Sequence, residues 1–66
     1  MKLKAIKTTD GQWVGTEFEL PDPLMKGFKF PVTEDIVFDV EQSKKLPNGD
    51  YMYWNANYVV VAREVG

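Results

Sequence analysis

Pro47-Asn48-Gly49-Asp50-Tyr51-Met52-Tyr53-Trp54 decides the fold class, together with Asn55-Ala56-Asn57 and the valine-rich run over 58–65 behind it. Asn-Gly tolerates positive φ at both central positions, which suits a type I′ hairpin turn. The aromatic run after it predicts a strand over 51–55. Asn55-Ala56-Asn57 predicts a second tight turn, and 58–65 a last strand. Strand-like runs separated by such turns read as antiparallel sheet. Three consecutive valines, Val59 to Val61, predict a strand buried on both sides.

Toward the N-terminus the same period-2 alternation recurs, while helical periodicity is weak. Residues 2–8 read as a first strand, and Asp10-Gly11 as a hairpin signal. A second strand is expected over 12–20. Gln12, Val14, Thr16, Phe18 and Leu20 fall on one face, buried from Val14 onward, with Trp13, Gly15, Glu17 and Glu19 on the other. Pro21 and Pro23 end it, because proline lacks the ladder donor. Leu24 and Met25 are expected to plug one end of the core. Phe28 and Phe30 alternate with Lys29 in a short strand at 27–32, placed at an edge or strand end by Pro31. Residues 35–41 read as the next strand; 41–46 either extends it or forms a helical turn, and the extension is preferred.

The expected fold is therefore all-β: one domain over 1–66, a small five- to six-stranded antiparallel barrel or curled sheet, SH3-like or OB-like. A chain of 66 residues buries only roughly 60% of its unfolded surface. Such domains usually rely on a disulfide, a metal or a partner. With no Cys and no His, a disulfide is excluded and zinc lacks its usual ligands. Four Phe, three Tyr and two Trp supply an aromatic core instead, and permit oligomerisation.

The net charge of −2 is too mild to select a strongly charged partner. Its distribution is uneven. Lys2, Lys4 and Lys7 stand without acids, and Glu34, Asp35, Asp39 and Glu41 without bases. Solvated strand faces attracting across a sheet are the expected meaning. No secretory signal and no run of about 20 apolar residues is visible, so a cytoplasmic, non-membrane protein is expected.

The residues argue for binding rather than catalysis. General acid–base work most often uses His, and the lone Ser43 has none to activate it. The carboxylate pairs Glu17/Glu19, Glu34/Asp35 and Asp39/Glu41 lie on wet faces or in loops, where no unusual pKa is expected. Neither a P-loop nor a dinucleotide fingerprint is present. No enzyme activity, cofactor or metal is expected.

Two binding surfaces are candidates. The first is aromatic: Tyr51 and Tyr53 share one strand face, Met52 and Trp54 the other. One small core hides only one set, so the other stays partly exposed. Tyr, Trp and Met are enriched at interface hot spots. Tyr51, Tyr53, Trp54, Tyr58 and Trp13 are thus the expected contacts for a protein partner or a second copy of the chain. A small ligand held at a dimer interface is a further reading. The second surface is aromatic and basic. Lys26-Gly27-Phe28-Lys29-Phe30 resembles the basic–Gly–aromatic–Gly–aromatic strand of cold-shock barrels, whose rings stack on bases. Residues 35–45 also resemble that family's fourth strand and basic loop. The likeness covers about a third of the chain. Lys29 stands where the second glycine would be, and the V-F-V-H type strand has no counterpart, so the chain is not assigned to that family. The resemblance implies single-stranded nucleic acid as the alternative partner, with Phe28 and Phe30 on bases and Lys26, Lys29, Lys44 and Lys45 on phosphates. The protein-interaction reading is preferred.

Overall fold

The computed structural model describes residues 1–9, 11, 13–31 and 37–66. The strands are β1 (Lys2–Thr8), β2 (Glu17–Glu19), β3 (Lys29–Pro31), β4 (Val37–Asp39), β5 (Gln42–Lys45), β6 (Tyr51–Trp54) and β7 (Val59–Glu64). Five of them form one antiparallel sheet in the order β2-β1-β7-β6-β5, and β3 pairs with β4 as a separate ribbon. The all-β antiparallel expectation holds. Of the two expected forms, SH3-like or OB-like barrel or curled sheet, the closed barrel does not form among the described residues: the five-stranded sheet is open, with β2 and β5 at its two edges. Both edges are short and charged: Glu17-Phe18-Glu19 on one side, Gln42-Ser43-Lys44-Lys45 on the other. Such edges resist pairing with other chains without closure.

The turn at 46–50 differs from the type I′ expectation. Gly49 has φ 92°, but no non-glycine residue described has positive φ. The Gly49 amide donates to Leu46 O at 3.0 Å, and the Leu46 amide to Asp50 O at 2.7 Å. This is a type I turn closed by a left-handed glycine, the three-residue hairpin form. Pro47 explains the choice, because its fixed φ suits the first central position of type I. The second turn is held by Asn55, whose Oδ1 accepts from the amides of Asn57 and Tyr58 at 2.7 and 2.8 Å.

The expected strand over 12–20 is shortened to β2. Gln12 lies outside the described residues. Trp13 to Gly15 form a turn, with the Thr16 hydroxyl donating to Trp13 O at 2.8 Å and Gly15 at φ 99°. The turn breaks the alternation and reverses its first two positions, so that Trp13 enters the core and Val14 is exposed, while Phe18 and Leu20 keep the expected inner side and Glu17 and Glu19 the outer one. A large ring gains more from burial than a valine does, which accounts for the direction. Between β4 and β5 the chain passes from the ribbon to the main sheet. The Val40 amide still donates to Phe28 O, whereas the Glu41 amide donates to Trp54 O.

The core lies on one face of the main sheet. Leu3, Ala5, Tyr51, Tyr53, Val60 and Ala62 point inward from the strands, and Trp13, Leu20 and Val40 cover them. Phe18, Met25 and Phe28 pack against this set. A bulge at Ile6 shifts the β1–β7 register between Ala5 and Lys7. The extra residue turns Thr8 rather than Lys7 inward, so a lysine is kept out of the core. Tyr53 is the hub: fully buried, with the rings of Phe18 and Phe28 edge-on at 6.0 and 5.7 Å, and its hydroxyl donating to Pro23 O at 2.6 Å.

Candidate functional site

The opposite face of the main sheet carries the candidate site. Antiparallel register sets its side chains in rows across the strands. One row reads Lys7, Val61, Met52, Lys44 from β1 to β5. The next reads Val59, Trp54, Gln42. On the other side Glu17, Lys4 and Arg63 continue the pattern, and Asp50 lies beside Arg63. The centre is therefore apolar (Val61, Met52, Val59, Trp54) and its flanks are lysines. Met52, Trp54 and Val61 are half-buried, and Val59 is 40% exposed, as is Tyr58 at the strand entry. The valine run is thus buried on one side only, at Val60. The expectation of burial on both sides fails because no second layer covers the outer face among the described residues.

Charge on this face is unevenly compensated. Lys2 pairs with Glu17 at 3.1 Å. Arg63 makes a two-pronged contact with Asp50, Nε to Oδ1 at 2.9 Å and Nη2 to Oδ2 at 3.1 Å. Asn48 supports the same carboxylate at 3.0 Å. The Arg63 hydrogen bond, aided by its charge and by Asn48, holds the Asp50 carboxyl below its ordinary range against the opposing effect of burial. Among the described residues no carboxylate pairs with Lys4, Lys7 or Lys44. Among the described residues the β1 lysines pair with neither Asp39 nor Glu41: Lys2 pairs with Glu17, and Asp39 with Lys29 at 3.9 Å. Glu34 and Asp35 lie outside the described residues.

The aromatic candidates separate into two groups. Tyr51 (8% exposed), Tyr53 and Trp13 are buried in the single chain. Burial raises the Tyr53 phenol well above its ordinary value, with Tyr51 and Asp22 adding to the shift. Trp54 and Tyr58 remain on the surface. The basic–aromatic candidates do not come together as one surface. Phe28 packs on Tyr53, whereas Lys29 pairs weakly with Asp39 and Lys26 is exposed. Lys45 points to the inner side, its ammonium 6.0 Å from the Tyr51 ring centroid. Only Lys44 joins the outer face. The ring of Phe30 lies outside the described part of the structure. Residues absent from the sequence expectation are Met52, Val59, Val61 and Lys7. The signal for the first three was the alternation already read on Met52 and Trp54, continued through Val59 and Val61. For Lys7 there was none, since the Ile6 bulge decides its side.

Among the described residues no three carboxylates cluster closely enough to hold a metal ion, and no helix is long and apolar enough to cross a membrane. Compared with known proteins, the chain matches no protein-family model, no curated protein and no solved structure. The fold and this face therefore define the chain only as a small open-sheet β domain.

Proposed function

We propose that this chain is a non-catalytic protein-interaction module, an accessory or inhibitor protein, that binds its partner through the outer face of the main sheet. The observation that carries the reading is the pairing of Trp54 with Val59 and of Met52 with Val61 on the face away from the core. Tryptophan and methionine beside aliphatic side chains, with charge at the rim, is the composition of interface centres. The core does not need these residues, since Tyr51, Tyr53, Val60 and Ala62 already fill the inner face of the same two strands.

Affinity capture with immobilised protein tests the reading. A partner is identified by mass spectrometry, purified and rebound to wild type, Trp54→Ser and Leu24→Ser. Leu24 is an exposed apolar residue off this face. Loss of binding in Trp54→Ser alone is the expected result. Equal binding by all three proteins overturns the assignment of the face.

A further inference from the structure

Resting on that reading, we infer that the outer face takes an extended acidic protein segment with an apolar residue between two carboxylates. The row Lys7, Val61, Met52, Lys44 carries the inference. It is cationic at both ends and apolar in the middle, and neither lysine has a carboxylate partner among the described residues. Lys7 and Lys44 stand on strands three spacings apart, so their Cα atoms are roughly 14 Å from one another. An extended chain advances about 3.4 Å per residue and alternates its faces. Its residues i and i+4 therefore share a face and are separated by about 13.6 Å. A segment of pattern acidic–x–apolar–x–acidic laid across β7 and β6 sets a carboxylate on each lysine. Its central side chain lands between Val61 and Met52, beside Trp54.

The same row argues against a second copy as the occupant. Face-to-face dimers are isologous, with the same patch on both sides. A two-fold axis parallel to the strands lays Lys7 over Lys44, and one across the strands brings β1 over β1 and β5 over β5. Either arrangement opposes lysine with lysine, which like-charge repulsion disfavours. Glu17 and Glu19 lie on the far edge strand, and Glu17 is already engaged by Lys2. The remaining acid on the face, Asp50, is held by Arg63.

The test is an amide chemical-shift titration of the full chain with a synthetic peptide, Glu-Thr-Leu-Thr-Glu flanked by Gly-Ser. Control probes are the same peptide with Lys at both Glu positions, and oligo-dT. Shifts concentrated at Lys7, Lys44, Met52, Trp54, Val59 and Val61 are expected with the acidic peptide only. The double variant Lys7→Glu/Lys44→Glu should weaken binding about tenfold or more while its own spectrum stays that of a folded sheet. Binding indifferent to that charge reversal, or preferred by the lysine peptide, overturns the inference. So does oligo-dT saturating the same residues more tightly, which would make the face a nucleic-acid surface. Concentration-dependent shifts there in the protein alone would identify a second copy instead. A peptide that binds nowhere also overturns the inference. The interface assignment would still stand if a captured partner is lost in Trp54→Ser.

Discussion

The inner and outer faces of β6 and β7 are built from the same two stretches of chain, and they have different fates. Tyr51, Tyr53, Val60 and Ala62 turn inward and are covered by Trp13, Leu20, Val40 and their neighbours. Met52, Trp54, Val59 and Val61 turn outward and are left half-buried or exposed. Their apolar character is similar, so hydrophobicity alone does not separate them. The difference lies in what the chain lays over each face. The turn at 13–15, the segment 20–28 and Val40 cover the inner side, whereas among the described residues nothing covers the outer side, whose margins carry lysines. The proposed interaction surface rests on this contrast: an apolar patch with a charged margin, left uncovered by a domain with so little core to spare.

Substitution at neighbouring positions is the sharpest way to break this contrast. Tyr53→Ala removes the core hub and should cost roughly 3–5 kcal/mol. A single core in a domain this small rarely supplies more than about 3–5 kcal/mol in total. The variant should therefore lose its dispersed amide spectrum at 25 °C. Trp54→Ser, one residue away, should keep that spectrum and change stability by no more than about 1 kcal/mol. If Trp54→Ser unfolds the chain as Tyr53→Ala does, the outer face is part of the core and the contrast fails.

Gly49→Ala tests the turn that sets both faces. A left-handed φ at a residue with a side chain costs about 1–2 kcal/mol, read as a lower urea midpoint with an unchanged slope. Gly49→Asn should recover part of that loss, because Asn tolerates this conformation better.

Tyr53→Phe sharpens the inner side. It keeps the ring and removes the hydrogen bond to Pro23 O, at a cost of about 1 kcal/mol near neutral pH. The buried phenol ionises at a higher pH in the fold than in the unfolded chain. Its contribution is therefore fully present below the ordinary value of 10.0 and declines as the pH rises above it. Urea midpoints taken through that range should fall more steeply for wild type than for Tyr53→Phe.

The smallest effect belongs to the outer face. The Asp50 carboxyl titrates lower in the fold than in the unfolded chain, so its contribution is present above the ordinary 3.8 and is lost as the pH falls below it. Asp50→Asn should be less stable than wild type at neutral pH, and the gap should close on acidification. A gap that persists at low pH would mean that the residue acts through the turn at Asn48 rather than through Arg63.

Much of this architecture was legible in the chain. The alternation of Tyr51-Met52-Tyr53-Trp54, the two Asn-containing turns and the prolines after Leu20 marked the strands and their ends, because backbone geometry responds to nearest neighbours. The division of that aromatic strand into two faces was legible for the same reason. Where longer contacts decide, the reading missed. Trp13 was expected on the strand face opposite Val14, either capping the core or joining the exposed aromatic patch; it enters the core because a turn ending in a positive-φ glycine forms. For Phe28 the sequence left two uses open, packing into the core or stacking on bases, and could not name its neighbour: it packs edge-on against a tyrosine that lies 25 positions further along.

Sequence by itself determined that this protein is all-β and antiparallel, where its main turns fall, and that one aromatic set must stay near the surface. Local φ preferences and period-2 alternation act within a few residues, so they are written in short stretches. Only the tertiary structure decided that the sheet stays open, that the tyrosines are the buried set, and that Lys7 and Lys44 flank one apolar row. Those outcomes depend on which distant segments cover which face and on a bulge that shifts one strand's register. Pairings between strands far apart in the chain are selected by the packing of the whole domain.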